Sequence, residues 1–282
     1  MDGKHSIIVF IPAYRCAPQI RRVLASFTPE IAARFAEILV VENRSPDNTL
    51  EAAQEGLVAI AERMAAAGKT GCTVTLLQND ANYSLGGSHK VAFNYCLDHG
   101  HDTLVVLHGD DQGSIADALP LLEADEDRQY ACLLGSRFAE GSRLVGYSWF
   151  RTFGNRVFNA LISLVTRTKV TDMGAGLNIY SRDFLASRFY MPFPDNLTFN
   201  VYMLYATLWQ GARYRFFPLT WREDDQVSNA KMFRQAAHIL GLTWRYITHP
   251  ARLFATAAPN LPEAYTSKVI LRQDAAPAPD QA

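Results

Sequence analysis

An imidazole, a carboxylate and a side-chain amide fall together in Leu107-His108-Gly109-Asp110-Asp111-Gln112, a hexapeptide that closes an apolar run. Alternation along an extended segment puts His108, Asp110 and Gln112 on one side. Hard divalent cations that travel with nucleotide phosphates take oxygen ligands and few protein groups, so this trio suits Mg2+ or Mn2+. The competing reading is a polar turn in which the aspartate caps the following helix. Two familiar nucleotide motifs fail. Gly68-Lys69-Thr70 looks like the end of a phosphate-binding loop, but Arg63 stands where its first glycine belongs, and the triplet precedes a strand instead of following one. The dinucleotide fingerprint is absent after the first strand, where Pro12-Ala13-Tyr14-Arg15 stands.

The elements that must position these groups are legible in the first half. Apolar runs at 6–11, 37–41, 73–77, 103–107 and 130–134 read as strands, and the segments 17–27, 49–67, 86–99 and 114–123 between them read as helices. Continuous apolar strands alternating with helices predict a parallel sheet covered on both faces. Ligands of such sheets sit beyond the carboxyl ends of the strands. That rule selects 12–14, 42–47, 79–87 and 108–112. The second half predicts helices near 150–165, 197–209 and 232–246, with strands near 176–180 and 214–218. The stripe Phe150, Phe153, Val157 and Phe158 reads first as core; with Arg151 and Arg156 beside it, a face resting on a membrane is the other reading.

Composition narrows the class. The 282 residues carry 27 Lys plus Arg and 28 Asp plus Glu, a net charge of −1, which argues against a broad nucleic-acid footprint. The four cysteines form no C-x-x-C pair, so a reducing cytoplasm is the simpler expectation. The apolar stretch before Pro12 is too short for a signal-peptide core, and no run of 18 apolar residues occurs.

Four blocks, each just after its own strand, resemble motifs of the inverting glycosyltransferases of family 2. Phe10-Ile-Pro-Ala-Tyr14 is similar to that family's opening, and Val40-Val-Glu-Asn-Arg-Ser-Pro-Asp-Asn-Thr49 to its V-V-D-D-G-S-x-D-G-T block. Asn82-Tyr-Ser-Leu-Gly-Gly-Ser-His-Lys90 resembles N-x-G-L-G-G-A-x-N, and the 108–112 segment sits where D-x-D belongs. Asp172-Met-Gly-Ala-Gly-Leu-Asn-Ile-Tyr-Ser-Arg182 resembles the D-x-x-S-G-F-R-x-Y-x-R block of dolichyl-phosphate mannosyltransferase-like and polysaccharide-assembly members. The chain departs from the family at His108, Asn43, Arg44 and Asn178.

The resemblance implies an α/β GT-A fold: a doubly wound, mostly parallel sheet with helices on both faces and a C-terminal helical extension. Residues 1–225 would form the GT-A domain, 226–270 a helical extension on the same unit, and 271–282 a disordered tail. Donor contacts would come from Pro12, Ala13, Tyr14, Glu42, Asn43, Lys90, Asp110, Arg222 and Lys231, with Mg2+ or Mn2+ held by Asp110, Gln112 and His108. Candidate bases are Asp172, Asp111 and the run 223–225, with Asp172 favoured because its block matches. The expected activity is inverting transfer of a sugar from a nucleotide-diphosphate donor to a lipid-phosphate or saccharide acceptor. The expected setting is cytoplasmic, peripheral to the inner face of the membrane or beside a membrane partner, without nucleic acid. A catalytically silent sugar-nucleotide-binding or partner-binding protein on the same fold is the alternative.

Overall fold

A computed structural model describes residues 5–223 and 232–275. The first half alternates as the apolar runs require: β1 (Ile7–Ala13), α1 (Ala17–Ala25), the short α2 (Pro29–Ala32), β2 (Glu37–Glu42), α3 (Thr49–Ala66), β3 (Thr73–Asn79), α4 (Ser84–Asp98) and β4 (Thr103–Leu107). The stretch expected as one helix at 114–123 is a 3-10 turn at Ile115–Asp117 followed by α5 (Leu119–Glu123). Pro120 lies in the first turn of α5, where its missing N–H costs nothing but cannot continue the preceding turn.

Then come β5 (Cys132–Ser136), β6 (Arg143–Val145), α6 (Trp149–Thr166), β7 (Leu177–Ser181), α7 (Arg182–Leu185), α8 (Phe199–Trp209), β8 (Tyr214–Pro218) and β9 (Thr220–Arg222). The described chain ends with α9 (Met232–Thr248), α10 (Pro250–Ala255) and β10 (Ser267–Asp274).

Eight strands form one sheet in the order β10-β3-β2-β1-β4-β7-β5-β8. β3, β2, β1 and β4 run parallel, β7 is antiparallel to both β4 and β5, and β8 is parallel to β5. β6 and β9 make a separate two-stranded sheet. Alternation divides the core. Val9, Ile11, Ile38, Val40, Val105 and Leu107 face the side packed by α1 and α3, whereas Ile8, Phe10, Leu39, Val41, Leu104 and Val106 face α4 and α8. Apolar burial on both faces is why these strands read as unbroken hydrophobic runs.

Residues 271–274, expected in a disordered tail, instead lie in β10, antiparallel to β3. This pairing covers the main-chain groups of what would otherwise be a free edge, and Thr73 donates to Asp274 at 2.7 Å. The strand is exposed along most of its length, and its apolar residues are only Val269, Ile270 and Leu271, set between polar ends. The boundary expected at 225/226 lies outside the described residues.

Candidate active site

The crossovers bring the carboxyl ends of β1, β2, β3 and β4 to one rim, and two cavities open there. The first, about 530 Å³, is bounded by Pro12, Ala13 and Tyr14 at the end of β1, Asn43 after β2, Asn82 ahead of α4 with Ser84 and Leu85 in its first turn, and His108 to Asp110 after β4. The second, about 620 Å³, runs beneath α6 and α9 and is walled by Arg137, Arg151, Asp172, Trp221 and Ile239 among others. Both volumes suit a drug-sized ligand. The chambers share Leu85, His108, Asp110 and Leu197, so they meet over the residues singled out for metal chemistry.

Close backbone approach fixes that junction. His108 N–H donates to the Gly176 carbonyl at 3.0 Å, and Gly109 N–H to the Pro12 carbonyl at 3.1 Å. A Cβ at Gly176 would lie 2.8 Å from the His108 ring, so only glycine lets the imidazole occupy this place. His108 Nδ1 stands 4.0 Å from the Asp110 carboxylate, while Nε2 is buried with no hydrogen-bond partner. Burial holds the His108 pKa below its usual value, against the opposing pull of Asp110, which favours a neutral ring with a lone pair to offer. Asp110 accepts from Gln112 N–H at 3.2 Å, and Gln112 itself borders the second chamber.

No group of three His, Cys, Asp or Glu among the described residues would hold a metal by itself. One carboxylate beside an imidazole with an unused nitrogen fits a cation that brings most of its ligands with it, as Mg2+ does on a diphosphate.

The other expected site residues divide sharply. Pro12, Ala13, Tyr14 and Asn43 line the first chamber. Asn43 also ties the rim together: its amide donates to Asn82 Oδ1 at 2.9 Å, and its carbonyl oxygen accepts from Asn79 and from Tyr83 N–H, each at 2.9 Å. Glu42, one residue earlier, does not reach the chamber. It is fully buried and accepts from Ser45 N–H at 2.6 Å, Arg44 N–H at 3.1 Å and Gln78 at 3.0 Å, so it shapes the loop under the first chamber.

Lys90 is likewise away from both chambers. Its ammonium is buried and donates to the Phe193 carbonyl, Asp195 (2.8 Å) and the Tyr265 hydroxyl (2.9 Å). Burial pulls its pKa down while Asp195 opposes the shift. Lys90 therefore anchors α4 to the 193–195 segment and to the segment before β10.

Asp111, expected as a base, has a left-handed backbone (φ 62°) that sends its carboxylate away to Arg22 Nε at 2.5 Å. It borders a third cavity together with Arg222, whose N–H donates to the Gln112 carbonyl. Neither Asp111 nor Arg222 lines the two main chambers. Lys231, Asp224 and Asp225 lie outside the described residues.

Asp172 does line the second chamber, but both of its oxygens are engaged. It accepts from Arg137 N–H (2.9 Å), Nε (2.8 Å) and Nη2 (2.8 Å), and from Gly174 N–H (3.2 Å). Held by a bidentate guanidinium, Asp172 stands where it orients Arg137 within the second chamber. Burial alone would lower the Arg137 pKa; Asp172 beside it reverses that and raises it.

Sequence reasoning missed Arg137 and Trp221, and it noted Arg151 only beside a membrane-facing stripe, whereas all three line the second chamber. Arg137 stacks 5.2 Å from the Trp221 ring, and Arg151 lies 4.6 Å from the Tyr147 ring and 2.5 Å from Glu223. Arg151 Nε is buried without a hydrogen-bond partner among the described residues. Arg137 directly follows β5, so the strand-end rule would have found it had the strand been read to Ser136.

The sequence pattern of glycosyl transferase family 2 matches residues 8–189. Polyprenol monophosphomannose synthase of Mycolicibacterium smegmatis is 24% identical over 178 residues, 63% of this chain and 62% of that protein, so the match spans less than two thirds of the relative. Among solved structures, glucosyl-3-phosphoglycerate synthase of Mycobacterium tuberculosis, in complex with Mn2+, uridine diphosphate and phosphoglyceric acid, superposes with a TM-score of 0.59 at 13% identity. That alignment covers 95% of this chain and 87% of that one. A further mycobacterial protein gives 0.58 at 14% identity, over 94% and 83%. Likeness at such identities speaks for the fold, which is the mostly parallel GT-A arrangement expected from the motifs. With most of its length matched to the family pattern, the chain belongs to glycosyl transferase family 2.

Proposed function

We propose that the protein transfers a sugar from a nucleotide-diphosphate donor with inversion at the anomeric carbon. The observation that carries this reading is the meeting of two chambers at His108 and Asp110. The nucleoside occupies the first chamber against Pro12, Ala13, Tyr14 and Asn43. The diphosphate lies over Asp110, which places the sugar at the junction beside Leu85 and Leu197. An acceptor entering by the second chamber then reaches the anomeric carbon from the side opposite the departing nucleotide, and such attack inverts configuration.

Asp110, helped by His108 and Gln112, would hold Mg2+ or Mn2+ on the donor diphosphate. That cation supplies electrostatic stabilisation of the charge that develops on the leaving nucleotide. With Asp172 occupied by Arg137, the second chamber presents cations in preference to a free carboxylate. This supports a phosphate acceptor, already an anion, for which no general base is needed. Arg151, with its unpartnered Nε, is the residue we assign to that phosphate. Residues on both sides of the 225/226 boundary, Trp221 and Ile239, line this chamber, which supports the two segments acting as one unit. The setting we favour is the cytoplasmic face of a membrane.

The test is incubation with a panel of nucleotide sugars and Mn2+, offering either a polyprenyl phosphate or free saccharides. The expected result is a glycosylated lipid phosphate, detected by mass spectrometry, whose anomeric configuration is opposite to that of the donor. Transfer only to saccharides would overturn the lipid-phosphate assignment. Donor binding without any product would favour the silent-binder alternative.

A further inference from the structure

The outer surface of α6 is apolar and unpartnered. Trp149, Phe150, Phe153, Val157, Leu161 and Leu164 are all exposed, Trp149 and Leu164 at 77%. At 3.6 residues per turn these positions sweep about 120° of the helix circumference, and about 160° with Val165, which is exposed as well. Arg156 and Arg151 fall at its two margins. The core reading of Phe150, Phe153 and Val157 is therefore overturned; of that stripe only Phe158 packs against the core. α9 packs on α6 and carries a second exposed stripe of Leu240, Trp244 (69%) and Ile247. Ordinary soluble surfaces rarely leave apolar patches of this kind uncovered.

Charge identifies what covers it. Across 149–170 and 232–262 the sequence has seven Lys or Arg and no Asp or Glu, although the whole chain has slightly more acidic than basic residues. Although Glu223 pairs with Arg151 at one margin, an aromatic and aliphatic face borne by segments that hold cations and no acidic residue complements an anionic lipid surface. Two tryptophans on that face suit the headgroup boundary, where their amphipathic rings partition. Among the described residues no helix is long and apolar enough to cross a membrane, so the contact is that of a helix lying in the interface.

The acceptor chamber opens on the same side. Phe150 both belongs to the apolar face and lines the second chamber, and Leu197, 65% exposed, borders both chambers. We infer that α6 and α9 form an interfacial docking surface for an anionic bilayer, against which the second chamber opens so that an acceptor is drawn from the lipid phase. The docking itself is independent of the transferase reading; the claim about the acceptor rests on it. A lipid phosphate would keep its hydrocarbon among α6 and α9 side chains while its headgroup reaches Arg151.

The experiment uses the full chain with vesicles of equal parts phosphatidylglycerol and phosphatidylcholine, and with phosphatidylcholine alone. Sedimentation with anionic vesicles is expected, weaker with neutral ones, and brominated lipid is expected to quench tryptophan emission. The triple variant Trp149→Ser, Phe153→Ser, Trp244→Ser is expected to lose about tenfold or more of vesicle partition. Its thermal shift with nucleotide and Mn2+ should stay that of the wild type, which reports an intact fold and donor site. A wild-type protein that remains in the supernatant, or a triple variant that sediments equally, would overturn the inference. So would a dimer in solution that the same substitutions dissociate, since that assigns the face to a second copy. A wild-type chain that binds vesicles yet shows no nucleotide shift would sink the transfer reading and leave docking standing.

Discussion

Replacing Asp172 by Asn separates a positioning carboxylate from a catalytic base. In the structure this side chain is 1% exposed and accepts four hydrogen bonds, three of them from Arg137. Asn keeps the shape but presents an amide N–H₂ to a guanidinium that, among the described residues, has no other carboxylate within ion-pair distance. Removing one partner of a buried ion pair costs about 3–5 kcal/mol, because the surviving charge stays buried and uncompensated. At this chain length each kcal/mol lowers Tm by roughly 2–4 °C, so the loss is easily read by calorimetry or urea unfolding. A second substitution, Arg137→Met, removes the stranded charge and is expected to recover much of that stability without restoring transfer, since the chamber then lacks its cation. The kinetic arm is a pH–rate profile. If Asp172 only positions Arg137, the variant keeps the acid limb of the wild-type profile with reduced amplitude. A variant of unchanged stability whose turnover falls by about three orders of magnitude, with the acid limb gone, would refute the reasoning and restore Asp172 as base.

Other residues give independent checks. Lys90→Met should cost about 3 kcal/mol of stability, since it strands Asp195, while nucleotide affinity stays unchanged; a selective loss of affinity would return Lys90 to the donor site. Gly176→Ala drives a methyl to 2.8 Å from the His108 ring and should abolish Mn2+-dependent donor binding for a stability cost of about 1–3 kcal/mol, measured by titration calorimetry and unfolding together. Burial pushes the Glu37 pKa up, but hydrogen bonds from His101, Thr75 and Tyr95 outweigh it and set the carboxyl below its ordinary value. A depressed carboxyl stabilises the fold fully above the unfolded-state value and progressively less as pH falls through the folded one. Glu37→Gln should therefore flatten the loss of stability below pH 4.5 in acid titrations followed by circular dichroism, and an unchanged acid limb would contradict this.

The parallel half of the sheet was readable because both faces of β1, β2 and β4 are buried, leaving unbroken apolar runs between polar ends such as Glu37, Glu42 and Thr103. The strand-end rule then found most of the first chamber, including Asn43, His108 and Asp110. Its errors were errors of phase. Glu42 and Asn43 are neighbours, as are Asp110 and Asp111, and in each pair the backbone turns one side chain into the chamber and the other under a loop or out to Arg22. Chemistry type cannot make that choice; the left-handed φ values at Arg44 and Asp111 do. The second chamber was harder to read. Arg137 meets Asp172 across 35 positions and Arg151 meets Glu223 across 72, and neither contact leaves a periodic trace. β10 was not read because its apolar residues, Val269, Ile270 and Leu271, are too few to mark a strand, and its place rests on backbone pairing with β3.

The claim that Asp110 carries a cation-bound diphosphate between the two chambers is tested most directly by titration calorimetry of nucleotide sugars into the wild type and Asp110→Ala, with Mn2+ and with chelator. The predicted result is a donor that binds the wild type with Mn2+, binds far more weakly with chelator, and binds Asp110→Ala equally weakly under both conditions. Binding that ignores both the chelator and the substitution would contradict the assignment.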